Sequence, residues 1–271
     1  MSFFSQSGHW YVKSSSGQIE AAHDLDLRKA RKVSARPSVT TVLKERSNPA
    51  LETWKQNMIF DVVMKNPIRT GEDVEAYKGR IAKLSAKPAT DAADFGTQLH
   101  DALDMYPAPC QDLKLQPYVN VFGPSYEKVV KRRVCSEIML CDDDIGIAGR
   151  TDLIADTHEW GLAIIDYKTS KFKGKSAKFW DSYKLQLSFY AKAYQKANGL
   201  AETPAIVNCG INSEEPTEPV WKAYTKVEQE KAYAEFLAVA FLWFCTKNYW
   251  PMGDNQRWIM HAQINGKLIS S

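Results

Sequence analysis

The stretch Gly149–Lys168, G-R-T-D-L-I-A-D-T-H-E-W-G-L-A-I-I-D-Y-K, constrains the fold more than any other part of the chain. It reads as two consecutive β-strands joined by the acidic, glycine-containing connection Asp156–Gly161. On the first strand Asp152 follows Gly149 and precedes the apolar pair Leu153 and Ile154. The second is the apolar run Leu162–Ile165, which ends abruptly in Asp166, Tyr167 and Lys168. Strand side chains alternate between faces, so Asp166 and Lys168 share one face and Tyr167 takes the other. Two carboxylates and an ammonium at the end of a buried hairpin are costly to hold without compensation. A divalent cation is the usual compensation.

The 271 residues are enough for one large domain or two small ones. A net charge of only +3 gives no overall field that would draw nucleic acid, so any basic footprint must be local. The five cysteines, at 110, 135, 141, 209 and 245, form no C-x-x-C pair, which argues against a zinc ribbon or a disulfide scaffold. The first 27 residues hold one lysine or arginine, Lys13, and do not resemble a signal or transit peptide. The longest apolar run, Phe236–Cys245, falls well short of the roughly 20 residues a bilayer requires. A soluble, cytoplasmic protein with no membrane partner is the expectation.

Residues 1–36 read as an N-terminal arm, loosely attached, with the short β-like piece His9–Val12. Its basic run, Arg28, Lys29, Arg31, Lys32 and Arg36, reads as a solvated charged stretch. Residues 37–271 read as a single domain, helical over 37–133 and carrying a sheet with its helices over 134–250. Ser38 caps a helix Val39–Glu45, and Asn48 with Pro49 forms the cap and first position of a helix through Met64. Thr70 opens a third helix that Pro88 ends near Ala86, and Thr90 or Asp91 opens a fourth bearing Phe95, Gly96, Leu99, His100 and Leu103. A further amphipathic segment, broken at Gly123-Pro124, leads to the basic cluster Lys128, Lys131, Arg132 and Arg133. Strands are expected at Val134–Cys141, Ile145–Ala155, Leu162–Lys168, Ala205–Ile211 and Pro219–Tyr224. Helices are expected at Trp180–Asn198 and Val227–Lys247. The fold class is α/β (α+β).

Four motifs fall in a fixed order: Gly96/His100 on a helix, Gly149/Asp152 on a strand, Asp166/Lys168 on the next strand, Gln186/Tyr190 on a helix. In this order and setting they resemble the PD-(D/E)xK nuclease superfamily, and within it the RecB-type branch. The segments S-V-T-T-V-L at Ser38 and E-T-W-K at Glu52 are similar to the mitochondrial genome maintenance exonucleases and their phage relatives. The resemblance runs from Pro37 to about Ala197. It implies a restriction-endonuclease-like core, a central mixed β-sheet flanked by helices. It also implies a metal-dependent deoxyribonuclease acting on DNA, single-stranded or with single-stranded ends, in replication, recombination or repair.

Phosphodiester hydrolysis needs a nucleophilic water and relief of charge on the scissile phosphate, which bound Mg²⁺ or Mn²⁺ supplies. Asp152 and Asp166 offer the hard anionic oxygens such an ion takes, one or two ions in number. The resemblance adds the backbone carbonyl of Tyr167, and His100 offers an imidazole that favours Mn²⁺ somewhat. Glu137 is a weaker candidate ligand. Lys168 is placed to orient the attacking water and neutralise the phosphate. The resemblance assigns Gln186 and Tyr190 to the active site and DNA, with core packing of Tyr190 as the alternative. Beyond the strand, Thr169, Ser170, Lys171, Lys173, Lys175, Lys178 and Tyr183 are the DNA-binding candidates, basic residues interleaved with aromatics. A lysine loop over packed aromatics explains the same composition. There is no C-terminal cysteine cluster for an iron–sulfur centre and no G-x-x-x-x-G-K-[ST] nucleotide loop. Within the nuclease reading a structure-specific endonuclease or resolvase stays open, and outside it a DNA-binding subunit that no longer cleaves.

Overall fold

A computed structural model describes residues 9–46 and 49–269. A small antiparallel sheet comes first, from β1 (Trp10–Lys13), β2 (Ile19–Ala22) and β3 (Arg36–Pro37), in the order β2-β1-β3. Helix α1 (Leu27–Lys32) lies between β2 and β3, and α2 (Val39–Leu43) follows. Two long helices, α3 (Pro49–Lys65) and α4 (Val74–Asp104), precede α5 (Gln116–Val129). The main sheet then runs β4 (Val130–Asp142), β5 (Ile147–Thr157), β6 (Gly161–Ser170), α6 (Asp181–Ala197), β7 (Ala205–Asn212) and β8 (Val220–Ala223). Helices α7 (Lys226–Lys247) and α8 (Asp254–Ile269) close the described chain. Among the described residues no helix is long and apolar enough to cross a membrane.

The main sheet has the order β4-β5-β6-β7-β8, with β6 and β7 parallel and every other neighbouring pair antiparallel. The parallel pair needs a crossover, and α6 supplies it. Each face of the sheet buries its own apolar cluster. Leu153, Ala163, Ile165 and Val207 pack under Leu99 and Leu103 of α4 and Val119 and Phe122 of α5. Ile154, Ile164 and Ile206 pack under α2, α6 and α7 through Val42, Leu187, Phe189 and Phe236. This is the mixed sheet flanked by helices that the motif order led us to expect, a restriction-endonuclease-like core.

Three expectations change. Helix α4 runs unbroken through Pro88, and α5 runs unbroken through Gly123-Pro124. Proline removes one helical hydrogen bond, and the carbonyls it frees belong to Leu84 and Asn120. Both residues are on exposed faces, where water can take the bond. The first half of α4 starts from Asp73, whose carboxylate accepts from the backbone N–H of Glu75 and Ala76, rather than from Thr70. Ser38 does cap α2, accepting from Thr41 N–H at 3.0 Å. Asn48, expected as a cap for α3, lies outside the described residues.

The N-terminal segment is also not loosely attached over residues 9–36. Trp10, Ala30 and Ala35 belong to the cluster under α7, and the Tyr249 hydroxyl donates to the carbonyls of Ala30 and Ala35. Of the basic run, Arg28, Lys29, Arg31 and Lys32 are exposed, as expected of a solvated charged stretch, and Arg36 alone is withdrawn from solvent. Arg36 is buried and pairs with Asp143 at 2.7 Å, and Arg31 donates to the carbonyl of Lys247. The basic cluster after α5 is similarly engaged, Arg132 with Asp156 and Arg133 with Asp104. Apolar burial outweighs the polarity that made the segment look loosely attached.

Candidate active site

The two strands of the opening stretch separate where the chemistry begins. Pairing of β5 with β6 runs from Thr157↔Gly161 to Leu153↔Ile165 and stops there. Past that point the Tyr167 N–H donates to the Asp152 carboxylate at 2.6 Å in place of a ladder bond. Asp166 and Lys168 face α6, while Tyr167 points the other way, edge-on to Phe122 and His100. The alternation read from the sequence therefore holds at the residues that matter most.

Asp166 is almost wholly buried, its side chain 3% exposed, and takes the Lys168 ammonium at 2.6 Å. Lys168 also donates to Gln186 Oε1 at 3.3 Å, and Gln186 Nε2 donates to the Tyr190 hydroxyl at 3.2 Å. Burial works against the Lys168 charge, but Asp166 and Asp152 outweigh it and raise its pKa, so it remains an ammonium. Asp152 is pushed up to about 8, by burial first and by the neighbouring Asp166 charge next. His100 reaches in from α4, with Nδ1 3.7 Å from Asp152 Oδ2. Burial lowers its pKa, which keeps the imidazole neutral and able to act as a ligand.

Two glycines make this arrangement possible. A Cβ on Gly149 would stand 2.7 Å from the Tyr190 ring, so glycine is what lets α6 seat Tyr190 against β5. A Cβ on Gly96 would stand 2.9 Å from Thr169 Oγ1, so α4 approaches the end of β6 only without one. Their recurrence four residues before His100 and three before Asp152 thus has a steric cause.

Other expected residues lie further out. Glu137, at a backbone φ of 52°, is paired with Arg150 at 2.7 Å instead of joining the two aspartates. Thr169 and Ser170 continue β6 and are half-buried. Lys171 pairs with Glu214 at 2.8 Å, and Lys173 and Lys175 are exposed. Lys178 sits 4.0 Å from the ring centroid of the partly exposed Trp180. The Tyr183 ring lies 4.8 Å from Lys168 Nζ, inside the site. Phe179 packs against Gly210, and Asn212 holds the carbonyl of Phe172, so part of the aromatic content does anchor the loop.

Sequence reasoning missed Asn208, Lys222 and Tyr224. Asn208 is directly opposite Asp166 on β7 and donates to it at 3.2 Å. Tyr224 donates to Asn208 at 2.9 Å, and Lys222 lies over the Tyr224 ring. The available signal was an amide inside the apolar strand A-I-V-N-C-G-I-N.

The donor set suits a hard divalent ion. The buried Asp166 and the half-buried Asp152 repel each other, which a cation would relieve, beside a neutral imidazole. Among the described residues no three His, Cys, Asp or Glu side chains are gathered into a ready cage. Mg²⁺ does not need one, since it is commonly held by one or two carboxylates, water and substrate phosphate.

Fold and site together define an α/β core with two neighbouring carboxylates, one buried and one half-buried, and a lysine at the open end of its central strands. Residues 111–241 match the family model of the PD-(D/E)XK nuclease superfamily. The matched span includes Asp152, Asp166, Lys168, Gln186 and Tyr190, and also Asn208 and Tyr224, but begins after His100. No curated protein gives a significant match.

Proposed function

We propose that this chain is a metal-dependent DNA exonuclease of the RecB type that works from single-stranded ends, with Mg²⁺ or Mn²⁺. The observation that carries the reading is the Lys168 ammonium, held between Asp166 at 2.6 Å and Gln186 at 3.3 Å beside a second, half-buried carboxylate. Asp152 and Asp166, with the Tyr167 carbonyl and His100, would hold the divalent ion, which would supply Lewis-acid activation of water and phosphate. Lys168 meets the negative charge that grows on the phosphate in the transition state, and Gln186 keeps the ammonium aimed. Tyr183 and the exposed Lys173, Lys175 and Lys178 line the approach, where ammoniums meet phosphates and rings stack on bases. The choice of an exonuclease rests on the motif set, and the preference for single strands on that mixture of lysine and aromatic residues.

The test is digestion of end-labelled oligonucleotides, single- and double-stranded and blocked at the 5′ or 3′ end, with Mg²⁺ or Mn²⁺. Asp166→Ala and Lys168→Ala are each expected to lower the rate roughly 100-fold or more. Wild-type rates in both variants would remove the site assignment. Cutting of covalently closed circles would favour an endonuclease, and DNA binding without metal binding or cleavage would favour a non-cleaving subunit.

A further inference from the structure

Asn208 has no exposed surface, and its strand neighbours Val207 and Cys209 are buried and apolar. An amide placed there is costly unless its polar atoms are satisfied. Both ends are used, and in one direction. Nδ2 donates to Asp166 Oδ2 at 3.2 Å, and Oδ1 accepts from the Tyr224 hydroxyl at 2.9 Å. Burial, followed by Glu228 and Asp166, raises the Tyr224 pKa, so the hydroxyl keeps its proton and serves as donor. That bond fixes the amide. Turned over, Asn208 would set its own oxygen against the Asp166 carboxylate.

Asp166 Oδ2 therefore receives two donors, Asn208 and the Lys168 ammonium at 2.6 Å. Both contacts fall on the same oxygen, Oδ2, of the carboxylate. A carboxylate gripped at one oxygen from two directions cannot rotate freely, and its other oxygen points to a fixed place.

We propose that Asn208, locked by Tyr224, is a positioning residue that presents Oδ1 of Asp166 to the divalent cation. The inference rests on the nuclease reading and adds to its machinery one residue of β7 and one that directly follows β8. Tyr224 acts only through Asn208, and Asn208 only through Asp166.

Calorimetric titration of the full chain with Mn²⁺, without DNA, tests it. Asn208→Leu, close in volume, is expected to weaken Mn²⁺ binding roughly 10- to 100-fold, and Tyr224→Phe by a smaller factor. In DNA cleavage the loss should appear as a higher Mn²⁺ requirement, with the KM for DNA unchanged. A purely structural role would lower the melting temperature and leave the Mn²⁺ affinity of the folded fraction alone. Should Asn208→Leu fail to fold, Tyr224→Phe decides, because it keeps the ring and removes only the hydroxyl. Wild-type Mn²⁺ affinity in the folded variants overturns the positioning role. A wild-type chain that neither binds Mn²⁺ nor cuts DNA overturns the nuclease reading and the relay with it.

Discussion

Asp152 shows at the scale of one residue how a site stores a demand for charge. Burial and the Asp166 carboxylate raise its pKa from 3.8 to about 8. The folded state then holds a proton that the unfolded chain has already released, so folded protein binds more protons across that window. Stability of the metal-free protein is accordingly greatest below about pH 4 and falls as pH rises towards about 8. Melting temperatures measured in chelator over this range should decline for the wild type and decline less for Asp152→Asn. Added Mn²⁺ should restore the loss at the alkaline end, where the carboxylate is free to bind it. Equal pH slopes in wild type and Asp152→Asn would show that Asp152 is not the group responsible.

At the scale of the element, α4 matters most, because it carries Gly96 and His100 to the open end of β5 and β6. The helix spans 31 residues with Pro88 near its middle. The bond lost there is exposed, and the helix gains on either side by burying Ile81, Leu99 and Leu103. Pro88→Ala restores the donor without touching the core. It is expected to raise unfolding free energy by about 1 kcal/mol or more in urea titration. Reduced stability would mean that the proline's local geometry is needed to seat the second half of the helix.

Across the whole molecule, one carboxylate ties two strands of the small N-terminal sheet to the main sheet, beside the apolar contacts of Trp10. Asp143, in the turn between β4 and β5, holds Lys13 of β1 and Arg36 of β3, each at 2.7 Å. Burial would raise its pKa, but these two cations outweigh it and hold it at about 2. Its stabilising contribution is therefore present above about pH 4 and lost as pH falls through about 2. Asp143→Ala should cost about 1–2 kcal/mol, because it strands the buried Arg36 guanidinium while the exposed half of the network adds little. Unfolding titrations at neutral pH and at about pH 2.5 check this, with the difference between variant and wild type shrinking in acid.

Local pattern was enough to place the five strands of the main sheet and helices α6 and α7, but not the short β2 and β3, which only their pairing with β1 makes strands. Strand alternation put Asp166 and Lys168 on one face, and motif order marked Asp152, His100, Gln186 and Tyr190 before any contact was known. What local pattern could not decide was anything that depends on a partner distant in sequence. Burial of Trp10, Ala30 and Ala35 tied the N-terminal segment to the core, and solvent at Leu84 and Asn120 let two helices pass through proline. Arg150 took Glu137 away from the aspartates. The parallel register of β6 and β7 brought Asn208 to Asp166 across 42 residues. Sequence fixes which groups are available and which face each occupies. Tertiary structure chooses their partners, since a buried charge or amide is held only where the fold delivers its complement.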